Sequence, residues 1–231
     1  MTPKLVLFDI DQTIIHSGGA GQKALILALR DRFGRDEDLS NVEIHGKTDV
    51  WIAHRLLELH GIEPHPENVQ RFLDAYLEHL EAQLAVNNGR LLPGFPAILH
   101  ALAALPNVVV GLLTGNLRRG AELKLARYGL LGHFACGAYA DDSLDRNKLV
   151  PFAQQRARDA CGADFPPENI YVIGDTPHDI ACAKAVGAHG VGVATGSYSR
   201  AALKAAGADH VFEDLSDIQS VIATLGLAHS K

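Results

Sequence analysis

The chain lacks the features that mark secreted, membrane-spanning and nucleic-acid-binding proteins. Only three cysteines occur among its 231 residues, and they form no Cys-x-x-Cys pair, which argues against a disulfide framework and against a zinc site. No signal segment follows Met1, and no run of about 18 apolar residues occurs. The formal net charge is -6, and no basic cluster is present to bind nucleic acid or an anionic membrane. We therefore expect a cytoplasmic protein that acts on a small molecule, and its oligomeric state is not predicted.

Short apolar runs are abundant, by contrast, and they predict the fold class. Four such runs have the length of buried strands: residues 5–7, 108–113, 170–173 and 191–194. Segments with helical spacing separate them. This alternation predicts an α/β fold, a doubly wound, Rossmann-like parallel sheet with helices on both faces. In such a fold the ligand site lies beyond the carboxyl ends of the strands.

One part of the chain follows a different pattern. Residues 18–90 contain helical segments and no strand-like run of comparable strength. Glycine-rich stretches flank them, at residues 17–21 and 87–94, where the backbone can turn. We expect an inserted all-helical cap domain at residues 18–90, with residues 1–17 and 91–231 forming the core.

Reactive side chains follow three of the apolar runs. Asp9 and Asp11 come directly after the first run, and their spacing on a strand points both side chains to one side. Two carboxylates held close together repel, so that one of them takes a proton or the pair binds a cation. The other polar residues at the strand ends are Thr13, Thr114, Gly115, Asn116, Asp175 and Asp179. In a parallel sheet all of these ends meet at one edge.

The order of these residues resembles the four motifs of the haloacid dehalogenase (HAD) superfamily. The matching stretches are Asp9-x-Asp11-x-Thr13, Thr114-Gly115-Asn116, a basic residue near Lys148, and Gly174-Asp175-x-x-x-Asp179. The helical insert is similar to the small cap of the phosphoglycolate-phosphatase-like branch. One position departs from the family, which usually has glycine where this chain has Gln12. We expect this difference to affect rate rather than reaction class.

The resemblance implies roles for the first motif and for a metal. Asp9 is implied to be a nucleophile that forms an aspartyl-phosphate, and Asp11 to protonate the leaving oxygen and later deprotonate water. Thr13 is implied to orient the nucleophile loop. The implied cofactor is Mg²⁺, held by Asp9, Asp175 and the backbone carbonyl of Asp11. Asp179 is expected to orient a water or the basic residue.

The remaining implied roles concern the substrate. Thr114, with the N–H groups of Gly115 and Asn116, is expected to hold phosphate oxygens. Two cations compete for the basic position, with Lys148 as our first choice and Arg146 as the second. Lys47, in the expected cap, is a further candidate for contacting a substrate group, although a solvated surface lysine explains it equally well.

The sequence thus predicts a Mg²⁺-dependent phosphatase that hydrolyses small phosphate monoesters, phosphoglycolate-like or sugar phosphates. Its partner is then a small phosphorylated metabolite. A phosphomutase of the β-phosphoglucomutase type is the nearest alternative, and a non-catalytic phosphoprotein-binding member of the fold is an alternative from another class. A dehalogenase is disfavoured because that branch usually has no carboxylate at the position of Asp11.

Overall fold

The computed structural model describes residues 3–227. The strands are β1 (Lys4–Phe8), β2 (Ile15–His16), β3 (Arg90–Leu91), β4 (Val108–Leu113), β5 (Cys136–Ala138), β6 (Ile170–Gly174), β7 (His189–Val193) and β8 (His210–Phe212). The helices are α1 (Ala20–Phe33), α2 (Asp49–Leu59), α3 (Pro66–Val86), α4 (Ala97–Ala103), α5 (Arg118–Ala126), α6 (Leu149–Cys161), α7 (Pro177–Lys184), α8 (Arg200–Ala205) and α9 (Ile218–Thr224). In the described part of the chain, no helix has the length and apolarity needed to cross a membrane.

Six strands form one parallel sheet in the order β5-β4-β1-β6-β7-β8. The strand order reverses between β1 and β6, which is where ligands bind in open α/β sheets. Phe8, the last residue of β1, is level with Leu112 of β4 and Ile173 of β6. The residues that follow these three strands therefore start from one edge of the sheet.

The sheet is buried on both faces, which is why its strands are apolar without alternation. Val6 and Phe8 point into a hydrophobic cluster with α4, α5 and α9. Leu5 and Leu7 point the other way, into a cluster with α6 and α7. The predicted α/β class, with helices on both faces of a parallel sheet, is confirmed.

Helices α1, α2 and α3 pack around a separate hydrophobic cluster that includes Leu29 and Phe72. Local sequence begins these helices: the Thr48 side chain accepts a hydrogen bond from Trp51 N at the start of α2, and α3 starts with Pro66. The chain enters and leaves this unit through β2 and β3, which pair antiparallel. The division at residues 17/18 and 90/91 stays a prediction.

Candidate active site

A cavity of about 200 Å³ lies where the ends of β1, β4 and β6 meet the helical unit. The strand-end residues Asp9, Asp11, Thr114 and Asp175 line its floor. Residues of α1, α2 and α3 and of the loop before α2 line its opposite side. Side chains separated by more than a hundred positions in the sequence are thus brought to one place.

Three carboxylates and one guanidinium lie together at the floor of the cavity and directly behind it. Side-chain oxygens of Asp9, Asp175 and Asp179 lie within 4.8 Å of one another, and all three residues are buried. Arg146 Nη2 lies 3.1 Å from Asp9 Oδ1 and also donates to Asp179 Oδ1. Asp179 Oδ2 accepts hydrogen bonds from Thr176 N at 3.0 Å and from Thr176 Oγ1 at 2.8 Å. Asp179 therefore fixes Arg146 and the start of α7, whereas Asp9 and Asp175 face the cavity.

Burial and the neighbouring charges raise the pKa of two of these carboxylates, Asp9 and Asp175. Burial raises the pKa of Asp9 to about 7; Arg146 opposes the rise, and the neighbouring carboxylates add to it. Burial, Asp179 and Asp9 together raise the pKa of Asp175 to about 9. One arginine does not neutralise three buried carboxylates. The site therefore fits a hard divalent cation, which would favour the ionised forms of Asp9 and Asp175.

The loop after β4 brings backbone and hydroxyl groups to the same floor. Thr114 is fully buried, and its Oγ1 accepts hydrogen bonds from Asn116 N at 3.3 Å and Asn116 Nδ2 at 2.7 Å. A Cβ atom on Gly115 would lie 2.2 Å from the carbonyl oxygen of Lys47. Glycine is thus required at this position, because the loop before α2 crosses directly over the loop after β4.

Comparisons with known proteins agree with this fold. Residues 145–218 match a family model described as HAD-hydrolase-like. A phosphoglycolate phosphatase from Rhodospirillum rubrum is 27% identical, over 94% of this chain and 89% of its own length. One from Synechococcus elongatus is 24% identical, over 95% of this chain and 97% of its own. The structure of CbbY from Rhodobacter sphaeroides in complex with phosphate shares the fold, with a TM-score of 0.75 at 18% identity, over 94% of this chain and 96% of that chain.

The chain resembles the phosphoglycolate-phosphatase-like branch of the HAD superfamily, as its motifs predicted. It is an enzyme, a phosphatase, as the sequence motifs predicted. The hydrolase from Pseudomonas syringae has the same fold, with a TM-score of 0.75 at 23% identity over 96% of this chain and 99% of that chain.

Asp11 of this phosphatase is held differently from Asp9. Its Oδ2 accepts hydrogen bonds from Lys124 Nζ at 2.6 Å and from Asn116 Nδ2 at 2.8 Å. Burial alone would raise the pKa of Asp11, but the charge and hydrogen bond of Lys124 and the hydrogen bond of Asn116 outweigh burial and lower it. The two aspartates of the first motif are therefore inequivalent, with Asp11 the stronger acid.

The cap side of the phosphatase cavity carries a buried carboxylate of its own. Asp49, the first residue of α2, accepts a hydrogen bond from Leu117 N at 2.8 Å, and its backbone N donates to Gly115 O at 2.7 Å. Burial raises the pKa of Asp49 to about 6, although Lys124 and the Leu117 hydrogen bond oppose the rise. The start of α2 is thereby bound to the loop that follows β4.

The structure reverses our order of preference for the basic residue. Arg146 is buried in the site, whereas Lys148 is exposed and lies outside the cavity. Both belong to one 3₁₀ turn, Arg146–Lys148, in which side chains two positions apart point in different directions. The sequence could not fix which of the two faced inward.

The structure also shows the surroundings of two further candidate residues, Thr13 and Lys47. Thr13 is buried, and its Oγ1 has no hydrogen-bond partner among the described residues; its role in orienting the loop stays a prediction. Lys47 lines the cavity; its Nζ lies 3.3 Å from Glu43 Oε2 and 5.0 Å from the centre of the Trp51 ring. These two contacts of the Lys47 side chain are to cap residues, whereas its backbone carbonyl lies over Gly115 of the core.

Gln12 occupies a position that explains the family preference for glycine. Its φ is 60°, in the left-handed region that costs a residue with a Cβ atom about 1–2 kcal/mol. Two contacts hold this turn: Gln12 N donates to Ile15 O at 2.7 Å, and Gln12 O accepts from Thr195 Oγ1 at 2.5 Å.

Sequence reasoning missed Lys124 and Asp49. Lys124 follows Ala121 by three positions and precedes Leu125, so it lies on the buried face of α5. A lysine in that register was a usable signal, because unpaired lysines are rarely buried. Asp49 offered a weaker signal, since an aspartate in the first turn of a helix is common without any function.

Proposed function

We propose that this phosphatase hydrolyses small phosphate monoesters through an aspartyl-phosphate on Asp9, with Mg²⁺ as its cofactor. The observation that carries the proposal is the geometry around Asp9: it follows β1, faces the cavity and lies 3.1 Å from the Arg146 guanidinium. Asp11 stands beside it on the same loop. A nucleophile, a fixed positive charge and an acid–base group thus share one cavity, as phosphoryl transfer requires.

In the first step, a carboxylate oxygen of Asp9 attacks the phosphorus atom. The bond between phosphorus and the leaving oxygen breaks, and Asp11 gives its proton to that oxygen, so that an alcohol departs. Arg146 fixes Asp9, and Thr114 with the loop behind it binds the phosphoryl oxygens. The lowered pKa of Asp11 makes it a ready proton donor once protonated.

In the second step, water attacks the phosphorus atom of the aspartyl-phosphate. Asp11, now a carboxylate, takes a proton from that water, and the bond between phosphorus and the Asp9 oxygen breaks. Inorganic phosphate leaves, and both aspartates return to their starting states. Splitting one displacement in two lets a single carboxylate serve both as acid and as base.

The residues that would hold the cation are Asp9, Asp175 and the backbone carbonyl of Asp11. Mg²⁺ supplies positive charge that neutralises the phosphoryl oxygens as the bond breaks. The raised pKa values of Asp9 and Asp175 support this assignment, because two buried carboxylates that resist ionisation gain from a bound cation. Asp179 is engaged by Arg146 and Thr176 and serves to position them.

The proposed substrate is small. A cavity of about 200 Å³ holds a phosphoryl group and a leaving group of a few atoms, and the relatives from Rhodospirillum rubrum and Synechococcus elongatus are phosphoglycolate phosphatases. The proposed division into a core and a cap, at the β2–β3 pair, lets the cavity open for such a molecule. The three free cysteines favour a reducing cytoplasm as its location.

Phosphate release from 2-phosphoglycolate and p-nitrophenyl phosphate, with Mg²⁺ and after chelation, tests the proposal. We expect release only with the cation, and a loss of at least about a thousandfold in Asp9→Asn. Asp164→Asn is the matched control, because the Asp164 side chain is 80% exposed and does not line the cavity. Equal activity in Asp9→Asn would contradict the nucleophile assignment. Transfer of phosphate to a second sugar hydroxyl instead of to water would favour the mutase alternative.

A further inference from the structure

Helix α5 carries a lysine that is buried between the core and the cap. Lys124 is only 3% exposed, and its helix faces the core with Ala121 and Leu125. On the other side, a Cβ atom placed on Gly21 of α1 would lie 4.0 Å from Lys124 Nζ and 4.0 Å from the Tyr76 hydroxyl of α3. Helix α1 of the cap thus lies against the ammonium group. A buried lysine is costly unless it is paired, so its partners indicate what it does.

The partners of Lys124 are the residues that surround the proposed proton donor. Its Nζ lies 2.6 Å from Asp11 Oδ2 and 2.5 Å from Asn116 Oδ1. Asn116 Nδ2 in turn lies 2.8 Å from the same Asp11 oxygen and 2.7 Å from Thr114 Oγ1. The amide of Asn116 is therefore fixed at both ends, and the lysine and the amide form a closed triangle with Asp11.

The two carboxylate oxygens of Asp11 have different hydrogen-bond partners in this triangle. Oδ2 accepts two hydrogen bonds, from Lys124 and Asn116. Among the described residues, no side chain donates a hydrogen bond to Oδ1, and the Asp11 side chain, 39% exposed, borders the cavity. With Oδ2 saturated, Oδ1 is the oxygen left to carry the proton. The rotation of the carboxylate about its own axis is fixed by the lysine and the amide.

We propose that Lys124 is a positioning residue, which holds Asp11 by Oδ2 so that Oδ1 faces the leaving oxygen of the substrate. This inference rests on the proposed function, and Lys124 belongs to none of the four motifs that define it. The cap takes part in this positioning, because Gly21 of α1 lies against Nζ, and Lys124 is only 3% exposed to water that would compete for its protons. Asp11 is therefore held in its working orientation when the cap is closed over the core.

The chemistry of the leaving group separates this role from a general structural one. An alcohol such as glycolate departs slowly unless its oxygen is protonated, whereas p-nitrophenolate departs without a proton. A residue that only positions the proton donor is thus needed for the first substrate and is nearly dispensable for the second. The ratio kcat/KM is the right measure, because it reports the steps up to transfer of the phosphoryl group to Asp9 and excludes the later hydrolysis.

The experiment compares kcat/KM of the full-length enzyme with Mg²⁺ on 2-phosphoglycolate and on p-nitrophenyl phosphate. For Lys124→Met we expect a loss of about a hundredfold with the alkyl ester and less than about threefold with the aryl ester. Lys204→Met is the matched control, because Lys204 is exposed on α8, and it should change neither value. Lys124→Gln keeps a hydrogen-bond donor at the buried site; it should show the same selectivity with a smaller loss, and it serves if Lys124→Met does not fold.

Two results would overturn the inference while the proposed function stands. Equal losses on the two substrates would mean that Lys124 supports the whole site, and no loss on either would mean that Asp11 is positioned without it. If the wild-type enzyme released phosphate from neither substrate, the proposed function would fail, and this inference with it. Circular dichroism and thermal unfolding of each variant show whether a loss of activity comes from unfolding of the enzyme or from displacement of Asp11 in a folded enzyme.

Discussion

The two halves of the cavity differ in how the chain builds them. The core half takes Asp9, Thr114 and Asp175 from the ends of three adjacent parallel strands. The half that faces the cap takes Lys124 and Asp49 from two helices. The sheet topology alone brings the first set together, whereas the second set depends on how two helices pack across the boundary between core and cap. One half is therefore fixed by the fold and the other by an interface.

The two halves also differ in their balance of charge. In the core half, three buried carboxylates surround Arg146, and the pKa values of Asp9 and Asp175 are raised. In the cap half, Lys124 contacts one carboxylate directly, and the pKa of that residue, Asp11, is lowered. The core half lacks positive charge that a bound cation would supply. In the cap half, Lys124 supplies positive charge to Asp11.

The largest effect is expected from Arg146→Met, which removes the only guanidinium that the described residues place among the core-half carboxylates. Asp9 and Asp179 would then be buried without their partner, so the variant should lose about 3–5 kcal/mol of unfolding free energy and at least about a hundredfold in kcat/KM. The unfolding free energy and the kcat/KM of Arg146→Lys should both lie between those of Arg146→Met and the wild type. Urea unfolding and phosphate-release kinetics are the measurements.

Lys148→Met is the control for that prediction, because Lys148 belongs to the same turn and is exposed. It should shift stability by no more than about 0.5 kcal/mol and leave kcat/KM unchanged. If Lys148→Met lost activity and Arg146→Met did not, the placement of Arg146 as the positive charge of the core half would be refuted.

A second prediction concerns the cap half and follows from Asp49. Its pKa in the folded protein is about 6 against an ordinary 3.8, so the folded state resists ionisation. The unfolded chain therefore releases this proton first, and Asp49 destabilises the protein increasingly as pH rises from about 4, with a constant cost above about 6. Asp49→Asn removes this cost. Relative to the wild type, the variant should gain about 2 kcal/mol between about pH 4.5 and about pH 7.5.

Urea unfolding of both proteins at these two pH values tests the prediction, because the other carboxylates titrate alike in both and cancel. The asparagine oxygen can still accept the hydrogen bond from Leu117 N, so the start of α2 should stay bound. A variant that became less stable with rising pH would show that Asp49 gains more from Lys124 than it loses by burial. The cap half would then hold a net stabilising ion pair.

The contrast between the halves explains which features the sequence could predict. The apolar runs predicted the strands and the α/β class, and the polar residues at their ends predicted which side chains would line the core half. Those inferences need only the rule that parallel strands end at one edge. Helix α1 begins at Ala20, within the glycine-rich stretch expected to be a hinge, because Gly18 and Gly19 end their left-handed turn there.

The features that escaped prediction depend on packing rather than on strand ends. Arg146 and Lys148 lie in one 3₁₀ turn, and their side chains point in different directions. Neither periodicity nor composition shows which of the two points into the cavity. The proposed role of Lys124 depends on α1 packing against it, and the packing of the cap on the core cannot be read from the sequence alone. The short strands β5 and β8, of three residues each, carry too few apolar residues for their pattern to be distinguished from a loop.

The smallest predicted effect lies at Gln12, on the loop that joins the two halves. Its φ of 60° is free of strain only for glycine, while glycine also gives the unfolded chain more conformational freedom. Gln12→Gly should therefore stabilise the enzyme by about 1 kcal/mol or less, which corresponds to a rise in Tm of no more than about 2–4 °C. The backbone bonds of Gln12 to Ile15 and Thr195 remain available to glycine. A fall in Tm would instead mean that the Gln12 side chain, which lines the cavity, stabilises the loop by more than its backbone strain costs.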